Sequence, residues 1–142
     1  MNVCDIAQFT STASTATIAV ICLGYVPDYV EYYQDCQGTN PNKYTWVNTA
    51  KFSMFAAGAD DTILMTGSTG VLTLDTASLA AHTGGDDISA TDVTNRKYFD
   101  VQGNVLAATE TSKAGISIPA GDQTASGKNF LVCWRAETPK RV

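Results

Sequence analysis

Thr17 to Val26 reads TIAVICLGYV, and this stretch decides the fold class. Its first seven residues, Thr17 to Leu23, are largely β-branched and continuous, as in a strand buried on both faces. The run is too short to cross a bilayer, which takes ~20 apolar residues. No Lys or Arg precedes it, and Asp5 stands where a signal peptide would carry a positive charge, so export is not expected. Gly24 and Pro27 punctuate its end.

Downstream, Tyr29 to Cys36 (YVEYYQDC) alternates, with Val30, Tyr32 and Cys36 on one side and Glu31, Tyr33 and Asp35 on the other. A dense turn cluster, Gln37 to Lys43 (QGTNPNK), separates it from Tyr44 to Asn48 and Lys51 to Phe55, read as two short strands or one bulged strand. Thr62 to Thr66, a turn at Gly67 to Gly70 (GSTG), and Val71 to Asp75 predict a hairpin. Thr76 to His82 (TASLAAH) is the one place for a short helix, capped by Thr76 and stopped by Gly84. A polar loop over 84–95 leads to Arg96–Val101, Val105–Ala108, Gly115–Pro119 and Asn129–Ala136, all strand-like. Upstream, residues 1–16 (MNVCDIAQFTSTASTA) lack periodicity and read as a flexible arm before a single β domain over 17–142. Many short strands separated by turns predict an all-β fold: a β-sandwich or barrel of short antiparallel strands with at most one short helix.

Composition agrees. The chain has 142 residues, 44% apolar and 16% charged, which suits one globular domain. Thr, Ser, Gly and Asn replace the missing charges, and Thr suits a pleated surface. A net charge of −5 argues against nucleic acid, whose phosphates require a basic field. No Lys or Arg occurs before Lys43, whereas Arg135, Lys140 and Arg141 close the chain. That polarity would let an acidic front meet a basic tail between copies.

Each candidate for catalysis fails on its chemistry. Cys4, Cys22, Cys36 and Cys133 have no CxxC spacing and no neighbouring histidines, so neither zinc nor any other cofactor is expected and free thiols are. His82 is the only histidine and has no marked nucleophile or carboxylate. Asp86, Asp87 and Asp92 lack the spacing and closing Glu of a calcium loop. The GSTG turn has no following Lys and so is no phosphate loop, and no G-x-S-x-G elbow occurs. No catalytic or metal-binding residue is therefore assigned, and an enzyme is not expected.

Aromatic residues crowd between Tyr25 and Phe55. Most would fill the core, but Tyr32 and Tyr33 must face opposite sides of a strand, so one is left for a partner. Tyr29, Tyr33, Trp46 and Arg135 are the candidate interface residues.

The order Gly24-Tyr25-Val26-Pro27-Asp28-Tyr29-Val30, a turn cluster, then Tyr44-Thr45-Trp46 resembles small virion structural proteins of tailed bacteriophages. So does the close, Ala114 to Gly121 (AGISIPAG), Ser126 to Phe130 (SGKNF) and Trp134-Arg135-Ala136. The resemblance touches residues 17–48 and 114–136. It implies a capsid decoration or cement protein, made in the host cytoplasm and carried on the virion surface. The expected partners are the major capsid protein and the protein itself as a homotrimer, with no membrane and no nucleic acid. On that view the arm at 1–16 would become ordered against a neighbour. The alternative is a carbohydrate- or receptor-binding sandwich of a fibre or tail, with Tyr33, Trp46 and the Asn/Asp-rich turns contacting a sugar.

Overall fold

The computed structural model describes residues 3–13, 17–52, 62–85, 87–88, 95–107 and 109–136. Among them are ten strands: β1 (Val3–Thr10), β2 (Ile18–Cys22), β3 (Tyr29–Gln34), β4 (Asn42–Val47), β5 (Thr62–Met65), β6 (Leu72–Leu74), β7 (Ala80–His82), β8 (Arg96–Phe99), β9 (Gly115–Ile118) and β10 (Lys128–Arg135). They form a larger sheet in the order β1-β10-β3-β4-β5-β6 and a smaller one in the order β7-β9-β2-β8. Neither sheet closes on itself, so the architecture is sandwich-like and not a barrel. All pairings are antiparallel except β2 with β8, which run parallel.

Alternation fills the space between the sheets. From the larger sheet come Ala7, Phe9, Val30, Tyr32, Tyr44, Trp46, Leu131 and Cys133; from the smaller come Ala19, Ile21, Phe99, Ile116 and Ile118. The far face of the smaller sheet is apolar too. Val20, Cys22 and Tyr98 pack there against Ile88 and Leu106, which arrive from the segments after β7 and β8. This third layer explains the unbroken apolar run at Ile18–Cys22: β2 has protein on both faces.

The hairpin expected around Gly67–Gly70 is present as β5 and β6. Its turn is closed by Thr66 N–H to the Val71 carbonyl and Gly70 N–H to the Thr66 carbonyl, with Gly70 at φ 69°.

Three expectations are corrected. Val3–Thr10 is an edge strand and not an arm: all eight of its residues pair with β10. Its alternation was obscured by small and polar residues, and its partner lies at the other end of the chain. Residues 76–82 contain no helix. Asp75 accepts hydrogen bonds from the Ala77 and Ser78 N–H groups, making a turn that leads directly into β7. Val105 makes only an isolated bridge with Phe99, so no full strand forms there. The strand expected at Lys51–Phe55 falls largely outside the described residues, as do Asp86 and Asp92.

Candidate functional site

Strand parity makes the outer face of the larger sheet the most distinctive surface. Each cross-strand pair shares a face, so the registers define rows that run across the sheet. One row is Ile6, Val132, Glu31, Thr45, Ile63 and Leu74. Beside it run Gln8, Phe130, Tyr33, Lys43, Met65 and Leu72. A shorter row joins Cys4, Trp134, Tyr29 and Val47. Antiparallel sheets commonly turn polar residues outward. This one instead leaves Ile6 71% exposed, Leu72 66% and Leu74 47%.

Four rings make the centre of the face. Tyr33 stacks on Phe130 at 4.4 Å and nearly parallel, at 10°. Tyr29 tilts against Trp134 at 5.2 Å. Glu31 lies between the two tyrosines on β3 and accepts hydrogen bonds from Tyr29 Oη at 2.9 Å and Tyr33 Oη at 3.3 Å. Lys43 Nζ approaches Glu31 at 3.5 Å and stands over the Tyr33 ring at 5.6 Å. The Tyr29 hydroxyl is pushed up to about 12, by burial first and then by the Glu31 carboxylate that it donates to. It therefore stays a neutral donor throughout the physiological range. The polar groups are spent on one another, and the rings are locked into a rigid platform with little rotamer entropy left to lose.

Of the four interface residues expected from sequence, Tyr29 and Tyr33 lie together on this platform. Trp46 does not. It is 2% exposed and points into the core from β4 beside Tyr44, because Thr45 takes the outward position opposite Glu31. The pattern Tyr44-Thr45-Trp46 carried that signal: two large rings flanking a Thr share a face, and the buried one is the natural place for both. Arg135 is exposed at the end of β10, with its guanidinium 6.0 Å from the Tyr25 ring, and is not on the platform. Sequence reasoning missed Ile6, Phe130, Val132 and Trp134. In NFLVCWRA both parities are apolar, so the strand alone does not say which set faces out.

Sites suited to chemistry fare worse. His82 is no incidental loop residue; it is buried in β7, with Nε2 3.1 Å from Ser112 Oγ and its ring edge-on to Tyr98. Asp75 and Asp122 form a buried carboxyl pair of the kind used in acid–base catalysis, 7% and 2% exposed. Burial first, and then Asp75, pushes Asp122 up to about 8. Both carboxyls are buried, and neither lines the hollow walled by Gln8, Phe9 and Lys128 or the one walled by Cys22 and Leu106. The latter hollow, about 350 Å³, also has Glu110 and Lys113 in its wall. Burial pushes the Cys22 thiol up, the opposite of what a nucleophile needs. Among the described residues no three His, Cys, Asp or Glu side chains converge to hold a metal ion, and no helix is long and apolar enough to cross a membrane.

No protein-family model, curated protein or solved structure matches this chain.

Proposed function

We propose that the protein is a non-enzymatic structural subunit of a tailed-phage virion, a capsid decoration protein that binds the major capsid protein through the outer face of its larger sheet. The observation that carries this reading is the rigid aromatic platform of Tyr29, Tyr33, Phe130 and Trp134, continued by the exposed Ile6. Contiguous apolar surface of this kind marks an interaction site, and aromatic anchors are enriched where partners bind most tightly. The virion assignment comes from the sequence resemblance over 17–48 and 114–136. It is supported by the way these two stretches meet: β10 pairs with β3, and β3 with β4, so they assemble the platform between them. The sugar-binding alternative keeps Tyr33 but loses Trp46, which is in the core.

The test starts from the protein's location and copy number in purified particles of the phage that encodes it. Many copies spread over the shell are expected; a few at one vertex or on the tail would instead favour a fibre or adaptor. Ile6→Lys combined with Val132→Lys puts two charges on the platform without touching the core. That variant should retain its far-UV spectrum and lose co-sedimentation with shells lacking the native protein. Undiminished binding would overturn the docking face, and binding to a glycan array would favour the sugar-binding reading.

A further inference from the structure

β6 ends the larger sheet, and among the described residues nothing pairs with its outer side. The hydrogen-bond parity shows what that side offers. Thr66 N–H bonds the Val71 carbonyl and Asp75 N–H bonds the Thr62 carbonyl, so residues 71, 73 and 75 turn their backbone groups towards β5. Leu72 and Leu74 therefore direct their N–H and C=O groups away from the sheet. Their side chains are 66% and 47% exposed, and Thr73 between them is exposed as well. Natural edge strands are usually guarded by a charge, a proline, a bulge or a covering loop. Among the described residues β6, three residues long, has none of these, and no charged side chain occurs anywhere in residues 62–74.

We infer that β6 is a self-association edge, pairing antiparallel with β6 of a second copy about a two-fold axis through Thr73. The register is self-complementary. An axis at Thr73 sets Leu72 opposite Leu74 of the partner, and Leu74 opposite Leu72, so each of these pairs exchanges two backbone hydrogen bonds. The same register stacks leucine on leucine across the junction on both sides of the axis. Two chains of net charge −5 repel in general, and a hairpin with no charge over 62–74 lowers that cost at this edge. The opposite edge is less available: Gln8 N–H bonds the Val101 carbonyl and Gln8 Nε2 bonds the Gln102 carbonyl, which covers part of β1. Joining β6 to β6 thus favours a closed dimer over an open chain of copies, and it replaces the three-fold association that the resemblance implies. Edge pairing at β6 is independent of docking through the aromatic platform, so either can fail alone.

Sedimentation velocity over a dilution series of the full chain should show a monomer–dimer equilibrium. Leu72→Pro removes an outward N–H without breaking any bond to β5, and should abolish the dimer. Leu72→Lys with Leu74→Lys should do the same by setting ammonium groups opposite one another. If the proline variant loses its far-UV spectrum, the lysine variant decides. Thr73→Cys, with Cys4 and Cys36 replaced by Ser, gives the sharpest readout. A residue on the axis faces its own copy at about 4.5 Å between Cα atoms, within disulfide range. Mild oxidation should convert this variant to a covalent dimer, while Leu72→Cys in the same background should not self-link. A protein that stays monomeric at every concentration, that sediments as a trimer, or whose dimer survives both the Pro and the Lys changes would overturn the inference.

Discussion

Asp122 Oδ2 is buried and meets no hydrogen-bond donor. As a carboxylate it would be an orphaned charge in the core, which costs far more than an ordinary lost hydrogen bond. As a carboxylic acid it becomes the donor, with the neighbouring Asp75 as acceptor, and Asp75 is already held by the Ala77 and Ser78 N–H groups. Burial first and then Asp75 raise Asp122 to about 8, so the folded chain keeps the Asp122 proton above the 3.8 at which an unfolded aspartate releases it. Between those values the folded chain binds more protons than the unfolded one. Stability therefore falls as pH rises across that window, and the loss is complete above it. Asp122→Asn keeps a donor towards Asp75 and removes the titration. Urea unfolding over the same pH range should show a declining stability for the wild-type protein and a flatter profile for the variant. A wild-type profile that rises throughout this window would contradict the proton held on Asp122.

At the scale of the strand, β1 shows how much of the packing comes from long-range pairing. Phe9 is 3% exposed and sits 5.2 Å from the Phe99 ring and 6.1 Å from Tyr32, so β1 helps join the two sheets. Phe9→Ala should cost about 3–5 kcal/mol in denaturant unfolding, the usual range for a buried Phe. Gln8→Ala, one residue away on the outer face, should cost much less. Equal costs would mean that β1 is peripheral after all. Local pattern did not mark this strand, because Ala7 and Gln8 weaken the alternation and the partner, β10, is more than a hundred residues distant. Where pattern and pairing agreed, the sequence was readable. Val30 and Tyr32 point in while Glu31 and Tyr33 point out, as the alternation of YVEYYQ requires, but it does not run on to Cys36: β3 ends at Gln34 and Asp35 turns the chain at φ 54°. Thr62–Asp75 folds as the hairpin that its glycines indicated. Phe130 and Trp134 show the limit: both parities of NFLVCWRA are apolar, and only the register of β10 against β3 puts these two rings on the outer face.

The two outer faces of the sandwich are treated differently, and the whole molecule follows from that asymmetry. The smaller sheet is covered by Ile88 and Leu106, whereas among the described residues nothing packs over the platform of the larger sheet. The four thiols report on this layering, because they sit at different depths. Cys4 is exposed on the open face, Cys36 is intermediate, Cys22 is beneath the cover, and Cys133 is between the sheets at 0% exposure. Burial raises the Cys22 thiol and pushes Cys133 up to about 12, so depth and thiolate content act in the same direction. A disulfide reagent should label Cys4 first, Cys36 next, Cys22 slowly from the hollow in whose wall it lies, and Cys133 only on opening. Ile88→Ala thins the cover without reaching the space between the sheets. It should speed labelling of Cys22 severalfold and leave Cys133 at its original rate, read by mass spectrometry of the labelled peptides. If both buried thiols accelerate together, the cover and the core open as one unit, and the layer over β2 is part of the fold's cooperative centre. If Cys22 alone accelerates, that layer opens locally. The sandwich and its open aromatic face would then stay intact beneath a separately mobile cover.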